Sequence, residues 1–405
     1  MKAFEGLKVL DFSRVIAAPL ATEYLAQSGA TVVKVESSES LDNLRISAPY
    51  RDNKLGVDRS GYFAAYNGGK YSLSLDLGHP GAKTVIERLV RWCDVVVENF
   101  RPGTTEKFGI SYDELVKLKP DIIMLSTSNQ GQTGPQAKTP GYGFTLCALS
   151  GLTSITGWSD RPQCHPFGAL TDYMTPWLSL IALISAIEHR RQTGEGQFLD
   201  VSQYECGLYF LAPLLLDYAV NGHELTRQGN SSPHAAPHGA YPCRGDPPQA
   251  GWCAISAGSE QEWVTFCRVI GKPELATDPR FCSLEKRKAN EDELDAIVAE
   301  WTSRRTAKEV METLQRAGIA AGVVQSAGDL FADPQLRHRQ HFHVLEHPEI
   351  GAMSYEAPAF RLSETPLEIE RPAPCLGQHN EYVCKELLGI PDDEFVRLLA
   401  EGVLS

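Results

Sequence analysis

The chain has 405 residues, of which 42% are hydrophobic and 22% charged, enough for one large core and a smaller companion. Its formal net charge of −13 disfavours a partner recognised through a phosphate backbone, which rewards excess Lys and Arg, while leaving room for a small anionic ligand on a local basic patch. Ten scattered cysteines without a CxxC, no signal-type start and no long uninterrupted apolar run point to a reduced cytoplasmic protein with no membrane span.

In chain order, "LKVLDF" (7–12) predicts a strand, "PLATEYLAQSG" (19–29) a helix stopped at Gly29, and "ATVVKVE" (30–36) a second strand. "YSLSLDL" (71–77) follows as a strand, then a helix over 79–92, the buried strand "DVVVENF" (94–100), a helix near 111–118 and the strand "DIIMLSTS" (121–128). Strands alternating with helices imply a parallel sheet with right-handed crossovers, an α/β, Rossmann-like large domain. Ligands in such folds sit beyond the carboxyl ends of the strands, where Asn99, Phe100 and Ser126–Ser128 fall. The first turn, "DFSRVIAAP", has no GxGxxG, so a dinucleotide is not expected.

Residues 172–192 and 203–220 read as helices. The stretch 221–251 is rich in Pro and Gly and reads as a linker or lid after a large domain over 1–220. A small α/β domain over 252–335 follows, with the strand "GWCAIS" and helices near 259–271, 291–302 and 306–317. The segment 336–405 is extended and proline-rich until a last helix near 379–389. The histidines of "HRQHFHVLEH" (338, 341, 343 and 347) match no zinc spacing and read as a surface segment, and no metal site is expected. There is no GxSxG, HExxH or P-loop.

Asp172, in "FGALTDYMTP", has two readings. Asp is a preferred N-cap and a helix begins there. Equally, glycines at 141, 143, 151, 157 and 168 bring backbone close, and Pro176 fixes the helix entry. A carboxylate there would be kept ionised by helix-start N–H groups, and the same donors would hold an oxyanion after attack on a thioester.

Several pieces, taken together and in order, resemble the class III CoA-transferases, the family of formyl-CoA transferase and carnitine CoA-transferase. They are "GLKVLDFSRVIAAP" with "GATVVKVE", "GGKYSLSLDL", "DVVVENFRPGTTEKFGI", "ALSGLTSITG" and "GALTDYMTPWLSLIALISAIEHRRQTGEGQFLDVS". "DPRF" with Arg287 and Asn290, "AGIAAGVV", "DPQL", "HPEIG" and "GQHN" continue the match. The resemblance implies an interlocked dimer, with residues after about 335 returning to the large domain. It implies that Asp172 is a nucleophile forming an acyl anhydride and then an aspartyl-CoA thioester, with CoA thioesters and carboxylic acids as substrates and no permanently bound cofactor. Its CoA contacts carry over to Val15, Ala17, Leu75, Asn99, Phe100, Lys107, Phe108 and Tyr142.

The chain departs from the formyl-CoA enzymes at Ile16 (their glutamine), at Ser37 (their arginine) and in "NSSPHAAPHGAY" (their glycine-rich lid). A bulkier or more apolar acid than formate or oxalate is therefore expected, and the resemblance implies succinyl-CoA as donor with aryl- or alkyl-substituted succinates among the acceptors. His234 and His238 are candidates for its second carboxylate. Two alternatives stay open. One is an α-methylacyl-CoA racemase-like enzyme, weakened because Gly141-Tyr142-Gly143 replaces that branch's Gly-His-Asp. The other is a non-catalytic subunit paired with a paralogue, so the partner is a second copy or a paralogous chain.

Overall fold

The computed structural model describes residues 2–245 and 251–405, which form two units. The first holds the chain up to Thr153 together with His165–Glu224 and Pro334–Ser405. The second holds Ser154–Cys164 and Leu225–Asp333.

Six strands build the sheet of the first unit: β1 (Lys8–Asp11), β2 (Thr31–Glu36), β3 (Tyr71–Ser74), β4 (Val95–Glu98), β5 (Ile123–Ser128) and β6 (Phe198–Ser202). Their order is β3-β2-β1-β4-β5-β6, and every pairing is parallel. Strand alternation divides the side chains between two faces. Leu10, Val33, Val96 and Met124 join one core with Val85 and Leu89 of the helix Ala82–Trp92. Val9, Val32, Val95 and Ile123 join the other, with Leu25 of the helix Ala17–Gln27 and Leu183 and Ala186 of the long helix Leu170–Thr193. Burial on both faces is why these strands read as near-continuous valine and isoleucine runs. The strand order reverses direction between β1 and β4, and a crevice opens beyond their carboxyl ends at such a point.

Two features differ from expectation. β6, "FLDVS", was not foreseen between its flanking helices, and the expected helix over 203–220 is two, Gln203–Tyr209 and Ala212–Asn221, with Pro213 opening the second. Among the described residues the 24-residue helix Leu170–Thr193 is long and apolar enough to cross a membrane by length and composition alone, a test that core helices also pass, and 33% of its most apolar stretch is buried.

The segment Pro334–Ser405 covers the edge of the sheet. The free N–H groups of edge strand β3 are taken up by its side chains: Ser72 N donates to His379 Nδ1 at 3.1 Å and Ser74 N to Asn380 Oδ1 at 2.8 Å. This is the physical work of the "GQHN" motif. The histidines around 341–347 lie on or beside a hairpin of β10 (Phe342–His347) and β11 (Gly351–Glu356), and His347 is buried, accepting the N–H groups of Glu349 and Ile350.

In the second unit, β7 (His238–Pro242), β8 (Trp252–Ser256) and β9 (Ala320–Val323) form an antiparallel sheet in that order. β7 comes from the stretch read as a linker, of which residues 246–250 lie outside the described residues. Trp263, Phe266, Phe281 and Trp301 form the aromatic centre of the core. Arg287 is 1% exposed and donates to Glu260 and to the carbonyls of Ala236 and Phe281, so the "DPRF…Arg287" motif is an internal strut.

Candidate active site

A cavity of about 310 Å³ lies at the switch point of the parallel sheet. Its walls are the first βα turn (Val15–Ala17), the chain after β4 (Asn99–Pro102), the end of β5 with Asn129, the loop ending in Gly143, and the side chains of Asp172 and Gln203.

The first turn is built under constraint. Val15 adopts φ +68°, a region that a β-branched residue seldom enters. Its N–H is held by both carboxylate oxygens of Asp42, at 3.0 and 3.2 Å. Asp42 is fully buried and pairs with buried Lys34 at 3.1 Å, and Lys34 also donates to Ser13 O at 2.7 Å. Beside them, Lys70 pairs with Asp11 at 3.0 Å and Arg45 with Glu36 at 2.9 Å, so three buried acids meet three buried bases. Asn99 clamps the same turn to the end of β4: its Oδ1 accepts from Arg14 N at 2.8 Å and its Nδ2 donates to Arg14 O at 2.7 Å. Glu98 fixes the next residue by accepting from Phe100 N at 2.7 Å, and also from Ser126 Oγ. Burial pushes the Glu98 pKa up to about 7.

Asp172 is the third residue of its helix, and Ala169 occupies the N-cap position, so Asp172 caps nothing. Asp172 is 8% exposed, and its carboxylate accepts no hydrogen bond among the described residues. Desolvation alone raises its pKa to about 7. The expectation that helix-start donors keep it ionised is therefore not met: Asp172 lies in the first turn, but no N–H group among the described residues reaches its carboxylate, and burial dominates. Gly143 makes the closest approach, since a Cβ there would stand 2.8 Å from Asp172 Cγ and Oδ1 and 2.5 Å from Ala169 Cβ. Only glycine lets this backbone lie against the acid. At the next residue, the hydroxyl of Tyr173 gathers those of Tyr66 at 3.2 Å and Tyr62 at 3.5 Å.

The structure thus brings Val15, Ala17, Asn99, Phe100, Tyr142 and Asp172 to one cavity. It leaves three expected contacts outside that lining. Leu75 is a core residue just past β3, Phe108 packs against the same core with its ring 6.3 Å from that of Phe100, and Lys107 is exposed on the short helix Thr104–Phe108. Ile16 lines the cavity and Ser37 is buried. His234 and His238 lie in the second unit, where His238 Nδ1 meets Asn230 O at 2.6 Å. Gln203 was missed because β6, which it follows, was missed. No cluster of three or more His, Cys, Asp or Glu suited to a metal ion occurs among the described residues.

A buried, unpaired carboxylate facing a cavity at a strand-end crevice is suited to attack on an activated carbonyl that displaces water. The family model described as CoA-transferase family III matches residues 4–380. The chain is 32% identical to the succinyl-CoA–D-citramalate CoA-transferase of Chloroflexus aurantiacus, over 100% of this chain and 98% of that protein. It is 31% identical to the mouse succinyl-CoA:glutarate CoA-transferase, over 100% of this chain and 91% of that one. Among solved structures, a CAIB/BAIF family protein from Brucella suis superposes with a TM-score of 0.87 at 30% identity, covering 95% of this chain and 99% of that one.

Proposed function

The chain belongs to CoA-transferase family III, and from that premise we propose that it carries CoA from succinyl-CoA to a second short dicarboxylic acid, substituted succinates included, through covalent intermediates on Asp172. The observation that carries the reading is the Asp172 carboxylate itself, buried beside the cavity with no hydrogen bond among the described residues and the Gly143 backbone against it. The donor and acid classes rest on the relatives, whose names pair succinyl-CoA with citramalate and glutarate.

The steps balance without any other reagent. An Asp172 oxygen attacks the thioester carbonyl and the CoA thiolate leaves, giving a mixed anhydride. The thiolate then attacks the Asp172 carbonyl, the donor acid leaves as its carboxylate, and an aspartyl-CoA thioester remains. The acceptor carboxylate attacks this thioester, the thiolate leaves again, and its attack on the acceptor's acyl carbon releases the new acyl-CoA and restores Asp172. One thioester is exchanged for another, so the site's task is to position the reactants and keep water from the anhydride. Burial of Asp172 serves both ends: a carboxylate of raised pKa is the stronger nucleophile once ionised, and little water reaches it.

We further propose that the working form pairs two copies of the chain. The helix Ala212–Asn221 has no buried residue although Leu215, Leu216, Tyr218 and Val220 lie along it, and Ile181 and Ile184 of the long helix are also exposed. Apolar faces of this extent mark an interface.

The test is incubation with succinyl-CoA and a panel of acids, with trapping by hydroxylamine or borohydride and peptide mass spectrometry. Wild type should form new acyl-CoA and carry the trapped group on the Asp172 peptide. Asp172→Ala should lose transfer by at least about 10³-fold while still binding CoA. Transfer near wild type in that variant, or a trapped group on another peptide, rules the mechanism out.

A further inference from the structure

Three polar groups of residues lining the Asp172 cavity have no partner among the described residues: Thr127 Oγ1 and Ser128 Oγ at the end of β5, and Gln203 Oε1 just past β6. Their residues are 0%, 5% and 7% exposed. Buried polar groups nearly always find a partner, so three orphans among the residues lining one cavity call for a ligand group. They do not reflect a loose site. Their neighbours on the same walls are satisfied: Asn129 Nδ2 donates to Gly141 O at 3.0 Å, and Asn99 makes both of its bonds to Arg14.

The orphans comprise one carbonyl acceptor and two hydroxyls, each able to donate. A carboxylate only accepts, so it would engage the hydroxyls and leave Gln203 Oε1 without a donor. It would also set a second negative charge in the cavity that holds Asp172. A secondary amide supplies both kinds of partner, its N–H donating to Gln203 Oε1 and its carbonyl accepting from Thr127 or Ser128. The pantetheine arm of CoA carries such an amide a two-carbon spacer from the sulfur. The sulfur must come to the Asp172 carboxylate for the exchange, which brings that amide to the same depth.

We propose that Thr127, Ser128 and Gln203 form a clamp for the pantetheine amide nearest the sulfur of the CoA thioester, a proposal that rests on the reading of Asp172 as the nucleophile. The amide is common to the donor thioester, the departing thiolate and the product. A clamp on it holds CoA through each departure and return of the thiolate while the acids exchange. It therefore contributes to CoA affinity equally for every acyl group and takes no part in choosing the acid.

The test compares wild type with Gln203→Leu and Thr127→Val. Calorimetric titration with free CoA should show affinity weaker by about three- to tenfold in each variant, the worth of one neutral hydrogen bond. Affinity for adenosine 3′,5′-bisphosphate, the nucleotide part without the amide, should stay within about twofold of wild type. The rate ratio between succinyl-CoA and butyryl-CoA should not move. Unchanged CoA affinity overturns the clamp. So does an equal loss for the bisphosphate, which marks general damage, and so does a shifted succinyl-to-butyryl ratio at unchanged CoA affinity, which assigns the groups to the acid. Should Gln203→Leu fail to fold, the smaller change Ser128→Ala carries the same comparison. Failure of the transferase reading looks different: a wild-type chain that binds CoA and transfers nothing.

Discussion

Asp172 is 8% exposed and its carboxylate accepts no hydrogen bond among the described residues, so it bears the desolvation cost of its charge, and this sets the pH at which it can act. Only the ionised form attacks, so kcat/KM should climb with pH through a midpoint near the Asp172 pKa of about 7, measured across pH 5 to about 9. Glu98 titrates in the same range, but it holds the Phe100 backbone and does not touch the reacting atoms. Glu98→Gln should therefore leave the midpoint in place, and a lost midpoint would transfer the titration to Glu98. The same burial predicts a stability effect of definite sign. The folded chain binds the Asp172 proton more tightly than the unfolded chain, whose carboxyl has the ordinary value of 3.8, so stability is lost as pH rises from there to about 7. Asp172→Asn removes the charge at nearly constant shape. It should stabilise the protein at pH 8 by up to about 4 kcal/mol and make no difference near pH 4. Urea unfolding at the two pH values checks it, and a destabilised variant at pH 8 would refute the unpaired state of the acid.

Among the elements, the turn after β1 shows how a strained backbone is held for a ligand. Val15 at φ +68° costs about 1–3 kcal/mol, and the Asp42 carboxylate, anchored by Lys34, is what keeps it there. Asp42→Ala would leave Lys34 buried beside an empty place, a loss of about 3–5 kcal/mol for a broken buried pair. Asp42→Asn keeps an acceptor for the Val15 N–H and should cost less. In Asp42→Ala the turn relaxes, so KM for acyl-CoA should rise more than kcat falls, with a smaller rise in Asp42→Asn, and a fall in kcat alone would separate the turn from CoA binding. None of this was legible beforehand, because Asp42 and Lys34 meet Val15 only through tertiary contact. The strands themselves were legible where both faces are buried, as in the valine runs of β2 and β4. β6 escaped because Asp200 interrupts its apolar pattern. That side chain accepts from Gln132 N at 3.0 Å, a role invisible in "FLDVS" alone. Missing β6 concealed Gln203, since strand ends are where such folds place ligand-binding groups. Asp172 was singled out from the sequence, but its environment was misjudged: a helix N-terminus was visible there and the depth of burial was not.

At the scale of the whole molecule, composition places no apolar patch, and the structure does. Along the helix Ala212–Asn221, Leu216 is 62%, Tyr218 58% and Val220 77% exposed, and Ile181 of the long helix is 62% exposed. The apolar composition that makes Leu170–Thr193 resemble a membrane span has the same source, since one face fills the core through Leu183 and Ala186 while the other is left bare. Water in contact with such faces costs about 25 cal/mol per Å², and a stable interface removes about 1,200–2,000 Å² from it. Pairing of two copies follows as the proposed remedy, and it has a direct readout. Light scattering on the purified chain at micromolar concentration should give the mass of two chains. Leu216→Glu with Val220→Asp places charge in the middle of the face and should shift the mass to that of one chain, leaving the circular dichroism spectrum unchanged because neither side chain is buried. A wild-type chain that runs as a single copy would refute self-pairing. If it then gained mass only on mixing with a paralogous chain, the face would belong to a mixed pair.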